Sequence, residues 1–188
     1  AVRTGMVASG GASLVEHAER EETVATLRDG DWDVLVLQAQ STFGRIHLVD
    51  GRMRVGDPDR FFEGVKELHR TAVDAGARTV LLEHWKRREA PDADGSRIAW
   101  AFMRMGRESG LSVAPVGTVW RRLLEDGRLR APLYADDGSH PAPAGSYAAA
   151  VVLYGVLTGR STVGLPSRLR GAPVDRESGE VAVDSTVV

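Results

Sequence analysis

Asp137 and His140 stand three residues apart in the segment Tyr134-Ala-Asp-Asp-Gly-Ser-His140-Pro-Ala-Pro. A histidine serves as general base near neutral pH because its ordinary pKa is about 6.5. It does so better when a carboxylate fixes its tautomer and stabilises the imidazolium. An aspartate three residues earlier, across a glycine turn, can reach the ring. Pro141 and Pro143 stiffen the loop. Asp136 is the rival carboxylate, but it lacks that spacing. A base of this kind implies a nucleophile elsewhere.

Other polar groups cluster at the ends of apolar runs. Trp32-Asp-Val-Leu-Val-Leu-Gln-Ala-Gln-Ser41 is an apolar run that ends in the amides of Gln38 and Gln40 and the hydroxyl of Ser41. An amide N–H directed into a cleft is a suitable donor to an oxyanion. Gly10-Gly11-Ala-Ser13 lies between an apolar run and a helix start, where a backbone N–H can face a developing negative charge. His84 and Trp85 follow a third apolar run and can line a pocket; Trp85 and Trp120 read first as core packing, with an apolar wall for an acyl or sugar group as the alternative. His17 and His69 fall within helical patterns and read as packing or surface residues, while His47 has no assignable role. A metal site using His140, Asp137 and His84 is conceivable, but no spacing here is a metal signature, and none is expected.

Elements that position these groups can be read from the pattern. Residues 34–37 are a continuous β-branched and leucine run, as in a strand buried on both faces. Residues 79–82 and 113–116 are similar, with Pro115 placing the latter at a sheet edge or strand end; residues 5–8 are a shorter candidate. Ser13 and Glu16 form a capping box that opens a helix to about Leu27, with Gly30 beyond it. Asp57-Pro58 opens a helix to about Ala75, stopped by Gly76. Further helices are expected from Ser96 to Gly110, over 118–125, and from Pro143 to Thr158, closed by Gly159. Strands alternating with helices imply an α/β fold, a parallel sheet with helices on both faces. In such sheets sites form at the carboxyl ends of the strands. Gln38–Ser41, Glu83-His84-Trp85 and the Asp137–His140 loop then converge on one edge. The long connection over 38–56 is of the length that often carries function.

The chain has 188 residues, so one domain is expected, over 1–165, with a polar tail over 166–188. A net charge of −2 gives no reason to expect a nucleic-acid or anionic-membrane partner. The absence of cysteine excludes disulfides and thiolate metal sites. The most apolar stretch, 148–157, is too short to cross a bilayer. Compartment stays open.

These residues together resemble the SGNH, or GDSL-like, hydrolases, in particular the branch whose third motif is a Trp-Asp strand followed by Leu-Gln-x-x-Ser. The matching pieces are Gly10-Gly11-Ala-Ser-Leu14, Trp32-Asp33 through Gln40-Ser41, Pro115-Val-Gly-Thr-Val-Trp120, and Asp137-Gly-Ser-His140-Pro with Gly145-Ser-Tyr147. The resemblance implies a three-layer α/β/α sandwich with a flavodoxin-like sheet, and hydrolysis of acyl esters of carbohydrates or lipids without a cofactor. It implies His140 as base, Asp137 as its orienting acid, and Gly11 and Gln40 as oxyanion-hole donors.

The family's serine lies in a Gly-Asp-Ser or Gly-Asn-Ser motif at the end of the first strand, tens of residues before the Gly11 position. Only ten residues precede Gly11 here. Ser9 and Ser41 are misplaced for the role. The expectation is therefore an esterase whose first strand and nucleophile lie upstream, so that this chain by itself is inactive. The alternative is a non-catalytic flavodoxin-like module that binds carbohydrate or a partner and has lost its nucleophile.

Overall fold

A computed structural model describes residues 2–44 and 47–166; the proposed tail over 166–188 lies, beyond Pro166, outside the described residues. In chain order the elements are α1 (Leu14–Glu19), α2 (Glu21–Asp29), β1 (Val34–Gln38), β2 (Leu48–Val49), β3 (Arg52–Met53) and α3 (Asp59–Asp74). They continue with β4 (Arg78–Leu82), α4 (Asp92–Ser109), β5 (Ser112–Ala114), α5 (Val116–Asp126) and α6 (Pro143–Thr158). β1, β4 and β5 form a parallel sheet in the order β1-β4-β5, and β2 and β3 form a separate antiparallel hairpin.

Strand alternation sorts the core into two layers. Leu35, Leu37 and Leu81 face one way, onto Leu14, Leu27, Phe61, Val65, Leu68, Ile98, Phe102 and Met105 of α1 to α4. Val36 and Leu82 face the other way, onto Val116, Trp120 and Leu133 and the partly buried Ala148, Val152 and Leu153 of α6. The chain is thus α/β, a parallel sheet between two helical layers. Among the described residues no helix is long and apolar enough to cross a membrane.

Several local expectations change. Residues 5–8 are not a strand. They lie exposed but for the half-buried Val7, with Gly5 against Trp32, and Arg3 is stacked on the indole at 4.4 Å and donates to the carbonyls of Gly30 and Asp31. Among the described residues none pairs with the outer edge of β1. That strand is accordingly only half-buried, with Leu37 alone fully covered. The single helix expected over 13–27 is two, broken at Arg20, whose extended backbone (φ −83°, ψ 125°) ends α1 and begins α2. No Gly or Pro marks this break; Glu21 and Glu22 supply the acidic first turn that a new helix start favours. α4 begins at Asp92 rather than Ser96, with Asp92 and Asp94 in its first turn and Gly95 tolerated inside it. The capping box at Ser13 and the left-handed glycine ends at Gly110 and Gly159 form as expected.

Candidate functional site

The Asp137–His140 turn is folded by its own aspartate. Asp137 Oδ1 accepts the backbone N–H groups of Ser139 (2.8 Å) and His140 (2.9 Å), while Oδ2 lies 2.5 Å from His140 Nδ1. One carboxylate therefore shapes the loop and holds the ring. Gly138, at φ +66°, takes the left-handed position that a β-carbon would strain. These bonds, the imidazole's first among them, hold the Asp137 carboxyl well below the usual carboxylate range. With Nδ1 on the carboxylate, Nε2 is the free end of the ring, and the His140 side chain is 79% exposed. The dyad is thus open to solvent on the side where a proton would be taken. Asp136 lends only its backbone carbonyl, to Arg88.

Flanking pairing fixes the loop to the body. Ala135 N–H donates to His140 O, Ala142 N–H donates to Leu133 O, and Tyr134 bridges Pro141. α6 then starts at Pro143, whose missing N–H costs nothing at a helix start. The segment after β4 clamps the loop from the other side. Trp85 Nε1–H donates to Ser139 O (2.9 Å), Arg88 N–H donates to Gly138 O (2.8 Å), and the Arg88 guanidinium donates to the carbonyls of Ala135 and Asp136. Trp85 in turn stacks on buried Trp120, with ring centres 4.1 Å apart. Tyr134 meets Trp120 edge-on and donates to Lys86 O, its hydroxyl pKa pushed up to about 12 by burial.

The loop after β1 holds the proposed oxyanion donor. Gln40 Oε1 accepts from Thr42 N–H (2.7 Å), Thr42 Oγ1–H (2.7 Å) and Gly44 N–H (3.1 Å). Three donors on one atom settle which end of the carboxamide is oxygen, and leave Nε2–H₂ as the end that can donate outward. Gly44 meets Ser13 so closely that a β-carbon on it would overlap the serine's. The Gln40 loop is thereby fastened to the segment that follows Gly11. Gly11 itself is exposed in a turn closed by Ala12 N–H to Ser9 O (3.1 Å). Gln38 ends β1 and is exposed. Ser41 Oγ accepts from Arg87 at 3.4 Å.

His84 and Glu83 belong to the interior. The His84 ring lies edge-on to Phe43 (5.6 Å) and Phe102 (5.4 Å), fully buried, and burial pushes its pKa down to about 4. It is a neutral, buried imidazole, and it stands among the residues that line the neighbouring cleft. Glu83, 1% exposed, has its pKa pushed up to about 6 by burial, partly offset by the Thr118 hydroxyl, which donates to Oε1 at 3.0 Å in the first turn of α5. Beside these lies a cleft of about 260 Å³ whose lining includes Glu83, Trp85, Lys86, Trp120, Arg121 and Tyr134. Among the described residues no group of three or more His, Cys, Asp or Glu side chains is gathered to hold a metal ion. His17 and His69 make local contacts with Thr23 and Thr79.

Sequence reasoning placed the dyad and the strand-end residues but missed the clamp. Its signal was present: Lys86-Arg87-Arg88 is a basic run separated by three residues from the end of a buried strand. The hairpin in the long connection was also missed. It is anchored by Arg54, which grips Asp94 with two bonds of 2.9 and 2.8 Å while Val55 N–H donates to the same carboxylate. Burial alone raises the Asp94 pKa, but these bonds outweigh it and hold the group ionised.

Comparison with models of protein families finds no match, and comparison with curated proteins finds none either. Among solved structures the chain is similar to a DUF4886 family protein from Bacteroides uniformis ATCC 8492, with a TM-score of 0.63 and 16% identity. The likeness covers 89% of this chain and 75% of that one. At that identity it is a likeness of fold.

Proposed function

We propose that this chain carries the acid–base and oxyanion half of a Ser-His-Asp ester hydrolase of the SGNH type, acting on acyl esters of carbohydrates or lipids. The nucleophilic serine is supplied by a segment upstream of Ala1. The observation that carries the reading is the Asp137–His140 pair, bonded through Nδ1 at 2.5 Å with the rest of the ring open to solvent. The order of the Gly11, Gln40 and Asp137–His140 motifs along the chain supports it.

In this mechanism the serine hydroxyl attacks the ester carbonyl while His140 Nε2 takes its proton. Asp137 keeps the other nitrogen protonated and stabilises the imidazolium. The Gln40 amide and the Gly11 N–H receive the oxyanion. The tetrahedral intermediate expels the alcohol, which takes the proton from His140, leaving an acyl-enzyme. His140 then activates water to release the acid.

The test is to express the protein with about 40 further native upstream residues, room for a strand and a helix of ordinary length. Hydrolysis of p-nitrophenyl acetate is then measured. His140→Ala should lower kcat by roughly 10³- to 10⁴-fold. An unchanged rate removes His140 from the mechanism.

A second reading is a binding module without chemistry. The half-buried Trp85 lining the cleft favours it, because a flat aromatic face suits a sugar ring. An upstream strand ending in Gly-Asp-Ser or Gly-Asn-Ser decides for the enzyme, and its absence for the module.

A further inference from the structure

Arg87 is a cation beside the site that, among the described residues, has no carboxylate partner. Lys86 donates to Ala90 O (2.6 Å) and lies 3.6 Å from Asp92. Arg88 is spent on the carbonyls of Ala135 and Asp136 and on the Tyr134 face. Arg54, elsewhere, has Asp94. Arg87 is half-buried, its Nε is buried without an acceptor, and among the described residues no carboxylate pairs with it. Its one side-chain bond is the long 3.4 Å contact from Nη2 to Ser41 Oγ.

Position makes this absence informative. Ser41 follows Gln40, the proposed oxyanion donor, while Trp85 and Arg88, on either side of Arg87 in the chain, grip Ser139 and Gly138 of the dyad loop. The guanidinium therefore stands at the seam between the two loops. A half-buried guanidinium without a counter-charge carries an unrecovered desolvation cost, which a bound anion removes. Ser41 Oγ accepts from Arg87, so its own hydrogen is free to donate to the same anion. Among the described residues, one cation without a counter-charge and one hydroxyl match a singly charged, planar carboxylate better than a phosphate dianion, which calls for more positive charge.

We propose that Arg87 and Ser41 form a carboxylate subsite that selects esters bearing a free carboxylate near the acyl group, such as half-esters of short dicarboxylic acids. The subsite deepens the hydrolase reading and rests on it for its biological meaning, but its binding is measurable without catalysis. The 188-residue chain is titrated with monomethyl succinate and with the uncharged dimethyl succinate, and followed by the NMR signals of the Ser41 and Gln40 amides. The charged ester should bind about tenfold tighter, as one charge-assisted pair provides. Arg87→Gln should abolish the preference, Arg87→Lys should keep part of it, and Ser41→Ala should weaken it.

Equal binding of the two esters by the wild-type chain overturns the subsite, as does a preference that survives in Arg87→Gln. The two ideas fail separately. If the upstream-extended protein has no esterase activity but the charge preference persists, the subsite stands and the hydrolase reading falls. If it is active and Arg87→Gln leaves the ratio of charged to neutral ester cleavage unchanged, the subsite falls alone.

Discussion

Two acid–histidine pairs in this protein have the same chemistry and opposite environments. Glu83 and His84 are adjacent in sequence and buried, and burial pushes both toward neutrality, the acid up to about 6 and the imidazole down to about 4. Asp137 and His140 are exposed and bonded to each other, and the bonds hold the acid ionised. Burial makes charge costly for the first pair, whose members share no hydrogen bond; backbone donors and the imidazole make it favourable for the aspartate of the second. Of the two, only the second leaves its imidazole open to solvent. Trp85 joins the two: it follows His84 in the chain, packs on Trp120, and holds Ser139 beside His140.

The largest expected effects separate the pairs by readout. His84→Ala removes a ring packed between Phe43 and Phe102 and should cost about 2–4 kcal/mol of stability. On the scale of a 188-residue chain, that is a fall of roughly 5–15 °C in Tm, measured by calorimetry. His140→Ala should leave Tm within error. A reversal of these outcomes would mean that the buried and exposed assignments are exchanged.

The pH dependence sharpens the contrast. His84 has a folded pKa of about 4 against an ordinary 6.5, so the unfolded chain binds the extra proton between those values. Its contribution therefore makes stability rise with pH from about 4 to 6.5. Glu83 runs the other way: the folded state holds the proton between 4.5 and about 6, so its contribution falls over that window. The two partly cancel. Glu83→Gln mimics the protonated acid, so it should equal wild type near pH 4 and exceed it by about 1–2 kcal/mol at pH 7. Denaturant unfolding at several pH values reads this directly, and parallel curves for the two proteins would contradict the buried, neutral-leaning Glu83. Trp85→Phe should follow with about 1 kcal/mol, since it keeps a stacking ring but deletes the bond to Ser139 O.

Much of the exposed pair was legible in the sequence because its partners are local. The Asp137 carboxylate makes its bonds to Ser139 and His140 within four residues, and spacing alone suffices to read them. The helix of Pro143–Thr158 was legible for the same reason, with proline at its start and glycine beyond its end. The fate of His84 was not legible, because the end of a strand can place a side chain in the cleft or in the core. Here Phe43 and Phe102, 41 positions before and 18 after, decide it. The failure of residues 5–8 to form a strand is of the same kind. A strand is made by its partner, and local β-propensity cannot supply one. The clamp by Arg88 likewise depends on tertiary contact. Gly11 and Gln40 were legible as residues, but the bonding that orients Gln40 through Thr42 and Gly44 was not.

The smallest expected effect tests how the exposed loop is built. Asp137 does two jobs, one through its charge and one through its shape. Asn at this position keeps an oxygen for the Ser139 and His140 amides but loses the charge that draws the imidazole; Ala loses both. The loop's hydrogen exchange should therefore rank wild type slowest, Asp137→Asn intermediate and Asp137→Ala fastest, with roughly three- to tenfold steps at the Ser139 and His140 amides. Amides of β4 should not change. The sign with pH follows from the depressed carboxyl pKa: the protection is present above the ordinary carboxylate range and disappears only as pH falls through the folded value below it. Exchange rates of Asn and Ala variants that coincide would show that charge, and not the two amide bonds, shapes the turn. The geometry would then depend on His140 holding Asp137 as much as the reverse.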